Sequence, residues 1–464
     1  MNIQDTLSNT EQKLDNSEKI KIYLCGVTVY DESHIGHART IIVFDVLRKY
    51  LESKKVQVEL IQNFTDVDDK IINRAKDEKV SAQEISKRYI DNYFRDFDKL
   101  NIQRATNYPK ATEHINDIIK FIKKLIDKEI AYVSENGVYF SVSKFPDYGK
   151  LSKKKIDELK SGSRIQVDET KKDPLDFAVW KFTDVEPTWE SQWGKGRPGW
   201  HIECSVMSMK YLGGNFDIHG GGRDLIFPHH ENEIAQSEAH SDCKFAKIWM
   251  HVGMVTISGE KMSKSLGNTK SIKYVLENWG PNIIRLFCLS GHYSKVIDYS
   301  EEMLKENLTK WRQVETCYFE LIHANSDQQE NISEKIKNIS IEFDKSLEDD
   351  LNTHLALLSF FELVKETNRL AAEEKLGIEN SLIIKKEFER ITKILGLNIP
   401  EMSQEEKQKI DNLIFNRKKC REQKQFEEAD KIRDQLNEMN VELIDHKQKT
   451  IWMKKEKIKS EKEK

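Results

Sequence analysis

The sequence predicts an α/β protein with a doubly wound parallel sheet and an insertion, followed by an all-helical bundle and a small C-terminal domain. Two observations support this fold class. Strand-like and helix-like segments alternate over the first 95 residues, and that order gives a parallel sheet with right-handed crossovers. After Gly291 glycine and proline become scarce while apolar residues recur at helical spacing, which is typical of a helical region.

The first half of the sheet is predicted from four segments in chain order. They are "IKIYLCGV" as a strand, "HARTIIVFDVLRKYL" as a helix, "VQVELIQNF" as a strand and "DDKIINRAKDE" as a helix. This order begins a Rossmann-type nucleotide-binding fold, in which the ligand lies beyond the carboxyl ends of the strands. We therefore expect functional side chains where the two strands end.

The rest of the chain divides by its changes of pattern. Short strands and Lys-rich loops interrupt the alternation before a second α/β half with "GRPGWHIECSVM", "FDIHGGGRDLIFPHHENEIAQSEAH" and "WMHVGMVTIS". The predicted boundaries are 1–98 for the first half of the sheet, 99–195 for the insertion, 196–255 for the second half, 256–320 for the loop region after it, 321–400 for the helical bundle and 401–464 for the C-terminal domain with its basic tail.

Composition narrows the class of protein. The 464 residues are too many for one hydrophobic core. The 74 basic and 78 acidic side chains nearly cancel, so any nucleic-acid surface must be local. The polar first 20 residues and the lack of an apolar run near the ~20 residues of a membrane span predict a soluble, cytoplasmic protein with no membrane partner. Six widely spaced cysteines favour metal ligands or free thiols over disulfides.

Two short motifs point to a phosphate site. "HIGH" contains His34 and His37 where a strand passes into a helix, and a helix start favours phosphate through its unpaired N–H groups and dipole. Gly36 between them would let a ligand approach the backbone. "KMSKS" carries Lys261 and Lys264, two ammonium groups suited to neutralising a leaving polyphosphate. Taken singly, scattered structural histidines and a surface loop explain the two motifs as well.

Four residues could form a metal site. In "FPHHENE", Pro228 suits the first position of a helix, so that His229 and Glu233 lie at i and i+4 on one face. Cys25 and Cys204 would complete a set of sulfur, nitrogen and oxygen ligands that Zn²⁺ accepts. From the residues alone, buried free thiols and a helix-capping histidine remain the alternative.

Together the motifs resemble the cysteinyl-tRNA synthetase family of class I aminoacyl-tRNA synthetases. The resemblance covers residues from about 20 to about 445 and rests on "YLCGVTVYDESHIGHART", "GRPGWHIECSVM", "FDIHGGGRDLIFPHHENEIAQS" and "KMSKSLGN". It implies a ligase that activates L-cysteine with ATP to cysteinyl-adenylate and transfers it to the 3′-terminal ribose of tRNA(Cys). It further implies Mg²⁺ with ATP and a monomeric protein.

The resemblance also implies the roles of individual residues. One Zn²⁺ per chain would select the substrate thiolate, and its ligands would be Cys25, Cys204, His229 and Glu233. Catalysis would use His34, His37, Lys261 and Lys264, and ATP would be bound by His34, Gly36, His37 and Lys264. Thr65 and Trp200 would contact the amino acid, Gly221, Gly222 and Asp224 would lie near the ribose, and His251 and Gly253 near adenine. For Thr65 a helix N-cap, and for Trp200 a core position, are the alternatives.

The C-terminal third resembles the same family less closely. "LEDDLNTHLAL" is similar to the helical bundle, residues 256–320 to the KMSKS loop and stem-contact region, and residues 401–464 to the anticodon-binding domain. His354 stands where the family usually has proline, and "DHKQKTIWMKK" lacks the usual Pro and Gly before Trp452. Trp452 lies among eight lysines and three glutamates between residues 447 and 464, and we expect it to stack on an anticodon base. A solvated tail is the alternative.

Three other functions fit parts of the sequence. A related ligase would pass cysteine to an amino-sugar, although the long helical and basic C-terminal region favours a tRNA acceptor. A non-enzymatic zinc protein that binds nucleic acid would leave "HIGH" and "KMSKS" unexplained. A metallohydrolase needs an open metal position for water, which a full set of four protein ligands does not provide.

Overall fold

The computed structural model describes residues 1–14, 18–155, 170–262, 269–324, 326, 330–399, 402–445 and 450–461. Lys264, with most of "KMSKS", lies outside the described residues. Among the helices of the described ranges, none combines the length and the apolar character needed to cross a bilayer.

Fifteen strands lie in the described ranges. They are β1 (Asn2–Asp5), β2 (Thr10–Lys13), β3 (Lys19–Thr28), β4 (Gln57–Thr65), β5 (Ala131–Ser134), β6 (Gly137–Phe140), β7 (Phe177–Phe182), β8 (Gly196–Pro198), β9 (Phe216–Gly222), β10 (Ala246–Val252), β11 (Val255–Ile257), β12 (Glu260–Lys261), β13 (Ile297–Tyr299), β14 (Val441–Asp445) and β15 (Thr450–Lys454).

The same ranges hold thirteen α-helices. They are α1 (Ile35–Ser53), α2 (Asp69–Glu78), α3 (Ala82–Lys99), α4 (Ile115–Asp127), α5 (Trp200–Leu212), α6 (Glu231–Ser241), α7 (Ile272–Leu289), α8 (Glu301–Ile322), α9 (Ser333–Glu348), α10 (Thr353–Ala372), α11 (Ile378–Leu395), α12 (Gln404–Glu422) and α13 (Phe426–Glu438).

The central sheet confirms the predicted doubly wound topology. Its four parallel strands are ordered β10-β9-β3-β4, so the first and second halves of the sheet meet between β3 and β9. Ile22 of β3 pairs with Leu60 of β4 on one side and with Ile218 of β9 on the other. A crevice at the carboxyl ends of β3 and β9 is the place where this class of sheet binds ligands.

Side-chain alternation along β3 sorts its residues between two cores. Ile22 and Leu24 pack in the cluster that includes the buried face of α1, whereas Tyr23 and Cys25 belong to the cluster on the opposite face. Successive strand residues point to opposite faces of a sheet, so the period of two turns Cys25 toward Cys204 of α5, which lies in the same cluster.

The insertion forms a second, antiparallel sheet ordered β5-β6-β7-β8. Its core is separate from that of the central sheet and includes Phe121 of α4 and Trp180 of β7, both buried. The helical bundle packs instead on the central core, which extends through α8, α10 and α11.

Two β-hairpins were not predicted from the sequence. The first, β1–β2, is attached to the second half of the central sheet, since the backbone N–H of Trp249 in β10 donates to Asp5 Oδ1 over 2.8 Å. The second, β14–β15, pairs "VELID" with "TIWMK". The alternative of a solvated tail is contradicted at Met453 and Ile458, which are buried.

Candidate active site and metal centre

The crevice at the carboxyl ends of the central strands encloses a cavity of about 350 Å³. Cys25 lines it, and so does the start of α1 through His34 and His37. Trp200 and Lys261 complete the contributions from the second half of the sheet. The cavity therefore joins the two chemical features that the sequence predicted separately, a thiol-bearing strand end and a phosphate-binding helix start.

The four predicted metal ligands meet in one cluster. One donor atom from each of Cys25, Cys204, His229 and Glu233 lies within 4.8 Å of the others, and all four residues are buried. The two sulfurs are 3.7 Å apart, Cys25 Sγ is 3.4 Å from Glu233 Oε1, and His229 Nε2 is 3.0 Å from the same oxygen. Two sulfurs bound to one tetrahedral zinc at about 2.3 Å lie about 3.8 Å apart. The donor set and its spacing fit zinc.

Local structure brings these ligands together in a way that differs from the prediction at one point. Trp200 begins α5, and Cys204, four residues later, lies on the same helix face. Pro228 does not begin an α-helix, because residues Ile226–His230 form a π-helical turn and α6 starts at Glu231. The His229 and Glu233 side chains still meet across this junction.

A shell of histidines surrounds the carboxylate of Glu233. His219 Nε2 donates to Glu233 Oε2 over 2.9 Å, while His230 Nε2 is 3.9 Å from the other oxygen. His201 Nδ1 lies 2.9 Å from His229 Nδ1. Because partners of this kind fix the orientation of a metal ligand, His219 and His201 are site residues that the sequence reasoning did not identify.

The electrostatics of the cluster favour negative donors. The hydrogen bond from Cys25 lowers the pKa of Cys204 to about 6, although burial opposes this. Burial raises the pKa of Cys25 well above its usual value, and Cys204 and Glu233 raise it further. Burial also works against ionisation of Glu233, but His219 and His229 outweigh it and hold its pKa well below the usual range. A thiolate and a carboxylate side by side suit a divalent cation.

The two histidines of "HIGH" cap the helix that they begin. The backbone N–H of Gly36 donates to His34 Nδ1 over 3.1 Å, and the N–H of His34 donates to His37 Nδ1 over 3.4 Å. Since each Nδ1 accepts, each neutral ring carries its proton on Nε2. The rings stack with centroids 3.8 Å apart. A Cβ on Gly36 would lie 3.0 Å from the His34 ring, which explains the glycine between them.

Four of the other predicted site residues line the cavity. Trp200 is 38% exposed at the cavity, and its ring lies over His229 with centroids 4.3 Å apart. Gly222, Asp224 and Gly253 also line the cavity, and Asp224 Oδ2 is 3.7 Å from Lys261 Nζ.

Three predicted residues turn away from the cavity. Thr65 is neither a lining residue nor an N-cap: it is buried at the end of β4, and its hydroxyl donates to Glu203 Oε2 over 3.0 Å. Gly221 packs under the His230 ring instead of lining the cavity. His251 contradicts its predicted place near adenine, because it is buried with its two ring nitrogens 2.8 Å from Thr6 Oγ1 and 2.7 Å from His230 Nδ1.

Trp452 also contradicts its predicted exposure. It is 4% exposed in the core of the C-terminal domain, close to the rings of Phe319 and His323, and its Nε1–H donates to Asp411 Oδ1 over 2.8 Å. The pairing of β14 with β15, which the sequence did not reveal, turns this side chain inward toward α8. The structure therefore leaves no face of Trp452 for stacking on a base.

The exposed aromatics of the C-terminal domain lie elsewhere. Phe415 and Phe426, on the helical hairpin formed by α12 and α13, are 66% and 60% exposed. Between them the sequence "RKKCREQK" at residues 417–424 contains five basic residues and one acidic residue. We call residues 415–426 the hairpin tip. In the sequence, the hairpin tip is marked by a basic run with an aromatic residue at each end. The segment around Trp452 instead has one aromatic residue within a basic run.

Comparisons with known proteins agree with this geometry. A family model described as "tRNA synthetases class I (C) catalytic domain" matches residues 11–309, and one described as "DALR domain" matches residues 342–399. The cysteine–tRNA ligase of Thermodesulfovibrio yellowstonii is 48% identical over 483 residues, covering 97% of this chain and 99% of that protein. That of Caldicellulosiruptor saccharolyticus is 45% identical, with the same coverage. The chain belongs to the cysteine–tRNA ligase family. This confirms the family predicted from the sequence.

Solved structures of other class I synthetases show the same fold. The methionyl-tRNA synthetase of Mycobacterium tuberculosis bound to methionyl-adenylate has a TM-score of 0.63 at 13% identity, covering 81% of this chain and 92% of that one. A leucyl-tRNA synthetase complex from Agrobacterium radiobacter has a TM-score of 0.62 at 9% identity, covering 82% and 84%. At these identities the likeness extends to the fold alone.

Proposed function

We propose that this chain activates L-cysteine with ATP to cysteinyl-adenylate, releasing pyrophosphate, and transfers the cysteine to the 3′-terminal ribose of tRNA(Cys). The observation that carries the proposal is the single cavity shared by Cys25 of the four-donor cluster and the two "HIGH" histidines. An amino acid held by its side chain at the cluster would thus have its carboxylate near a nucleotide held at the start of α1. Placement of this kind supplies much of the rate in adenylation.

The metal in this proposal is one Zn²⁺ held by Cys25, Cys204, His229 and Glu233. When bound, it would supply a Lewis-acidic contact that favours the thiolate of cysteine over the hydroxyl of serine. The chain's own contribution is to orient the donors, since His219 fixes the Glu233 carboxylate through its 2.9 Å hydrogen bond. Mg²⁺ would enter with ATP, because it is usually held mainly by phosphates and water.

Nucleotide binding would depend on the start of α1. His34 and His37 present Nε2–H donors at a helix N-terminus, where the dipole also favours phosphate, and Gly36 keeps that approach open. Lys261, which lines the cavity, and Lys264 would stabilise the charge that develops as pyrophosphate leaves. Each of these contributions is electrostatic, so adenylation would need no covalent bond between the protein and its substrates.

At the other end of the substrate, Trp200 would form the wall against which the cysteine side chain packs. Its ring already lies over that of His229, one of the four clustered donors. Thr65 would have an indirect role, because its hydroxyl would orient the Glu203 carboxylate through the 3.0 Å hydrogen bond.

The hairpin tip is the surface that we propose for tRNA, in place of Trp452. No residue of α12 after Ile410 is buried, and Leu413 and Ile414 are the last side chains of this helix that pack against the core. The end of α12 therefore lies at the surface, together with the exposed Phe415 and Phe426. Cations neutralise phosphates while aromatic rings stack on unpaired bases. We propose a monomer, as the family resemblance implies.

The proposal is tested by charging of tRNA with radiolabelled cysteine. We expect transfer of label to tRNA(Cys) that depends on ATP. The alternative ligase, which passes cysteine to an amino-sugar, would form the adenylate yet leave tRNA unlabelled. Labelling of the amino-sugar with no labelling of tRNA would therefore replace the proposed acceptor while leaving the proposed adenylation intact.

A further inference from the structure

The side chain of Arg39 crosses from the "HIGH" helix to the second half of the sheet. Arg39 is 0% exposed and lies on α1 two residues after His37. Its Nη1 donates to the backbone carbonyls of Gly253, over 2.9 Å, and Met254, over 3.1 Å, and its Nη2 donates to the carbonyl of His292 over 3.1 Å. One guanidinium thus holds three carbonyls from two separate segments.

Arg39 has no acidic partner to explain its burial. Within the part of the chain that the structure describes, no carboxylate lies within ion-pair distance of it, and burial lowers its pKa to about 10. Arg285, also 0% exposed, shows the usual arrangement: its Nη2 lies 2.6 Å from Asp45 Oδ2. Burying a charge without a counter-charge is costly. The hydrogen bonds to the three carbonyls are the interactions that offset this cost.

Two of the three carbonyls that Arg39 holds belong to residues of the cavity wall. Gly253 and Met254 line the cavity that Gly36 and His37 line from α1, and β11 follows directly and leads toward Lys261. Gly253 is tightly packed against Lys295, because a Cβ on Gly253 would lie 2.1 Å from the carbonyl oxygen of Lys295. The guanidinium therefore fixes the distance between the start of α1 and the strand that leads into "KMSKS".

We propose that Arg39 is a positioning residue for ATP, which holds the Gly253–Met254 backbone at the spacing from the "HIGH" helix that the nucleotide requires. The inference rests on the proposed adenylation of cysteine. The ammonium of a lysine cannot reproduce the planar fork that serves carbonyls in two directions. Loss of these hydrogen bonds should loosen the Gly253–Met254 wall, while the four-donor cluster, which contains none of the residues that Arg39 contacts, keeps its geometry.

The test is cysteine-dependent ATP–pyrophosphate exchange by the full-length protein and its Arg39→Lys variant. We expect the KM for ATP to rise about tenfold, which corresponds to a loss of about 1.4 kcal/mol of binding free energy, while the KM for cysteine stays within about twofold. Arg39→Gln, which removes the buried charge and keeps an NH₂ donor, should show the same split between the two substrates. Arg285→Lys is the matched control and should lower the melting temperature with an unchanged KM for ATP.

Several results would overturn the inference. An unchanged KM for ATP in both Arg39 variants, equal rises in the KM for ATP and cysteine, or an ATP effect in Arg285→Lys as large as in Arg39→Lys would each reduce Arg39 to a stabilising residue. Failure of both Arg39 variants to fold, with Arg285→Lys folded, would do the same. Absence of exchange in the wild-type protein would instead contradict the proposed function, so the two failures are distinguishable.

Discussion

Replacing Trp452 with alanine should strongly destabilise the C-terminal domain and leave adenylation intact. The hydrophobic cluster that holds Trp452 is small: its other buried members are Phe319 of α8, Ile410, Leu436, Val441 and Met453. Truncating a buried tryptophan to alanine costs about 3–5 kcal/mol. The lost hydrogen bond to Asp411 adds little, since the Asp411 side chain is solvent-exposed and water can replace the indole N–H. We therefore expect the free energy of unfolding to fall by about 3–5 kcal/mol, a large fraction of typical domain stability.

Hydrogen exchange read segment by segment would measure this effect. In Trp452→Ala, amides of α12, α13, β14 and β15 should exchange much faster, whereas those of β3 and β9 should keep their protection and cysteine-dependent pyrophosphate exchange should continue. Trp452→Phe, which keeps most of the buried ring, is the matched control and should retain most of the protection. Unchanged protection in Trp452→Ala together with lost tRNA charging would refute this reasoning and restore the stacking role predicted from the sequence.

Three further outcomes are expected. Cys204→Ala should lose bound zinc, measured by atomic absorption, while Cys288→Ala, a buried thiol away from the cluster, should keep about one zinc per chain; equal zinc in both proteins would reject the metal site. Lys264→Ala should slow pyrophosphate exchange about 10²-fold through loss of one charge-stabilising group, and an unchanged rate would remove its proposed role. Phe426→Ala should weaken tRNA binding by about 1–3 kcal/mol without changing the melting temperature, and unaltered tRNA affinity would dismiss the hairpin tip.

Patterns that depend on local periodicity were predictable from the sequence. The strand–helix–strand–helix order of the first half follows from alternation and was confirmed in β3, α1, β4 and α2. Cys25, Cys204, His229 and Glu233 were proposed as a group from ligand chemistry and family resemblance, and the structure does bring their donor atoms together. The period of two along β3 is the physical reason that Cys25 faces α5.

Features that depend on long-range pairing were not predictable. From the sequence, Trp452 is predicted to be an exposed aromatic within a basic run. The pairing of β15 with β14 instead turns its side chain into the core. The position of His251 also depends on long-range pairing. The N-terminal hairpin, which no local sequence pattern predicts, places Thr6 against the His251 ring. The crossing of Arg39 to Gly253 spans more than two hundred residues, and no spacing rule on a single sequence relates two such positions.

Cysteine-dependent ATP–pyrophosphate exchange, compared with exchange supported by serine, tests the central claim most directly. Cysteine and serine differ in one atom, which is sulfur or oxygen at the position that would face Cys25, Cys204, His229 and Glu233. If the cluster selects the thiolate and the "HIGH" helix receives ATP in the same cavity, kcat/KM for cysteine should exceed that for serine by roughly 10⁴-fold or more, and removing zinc should abolish the preference. Comparable exchange with serine, or full discrimination by the zinc-free protein, would contradict the account.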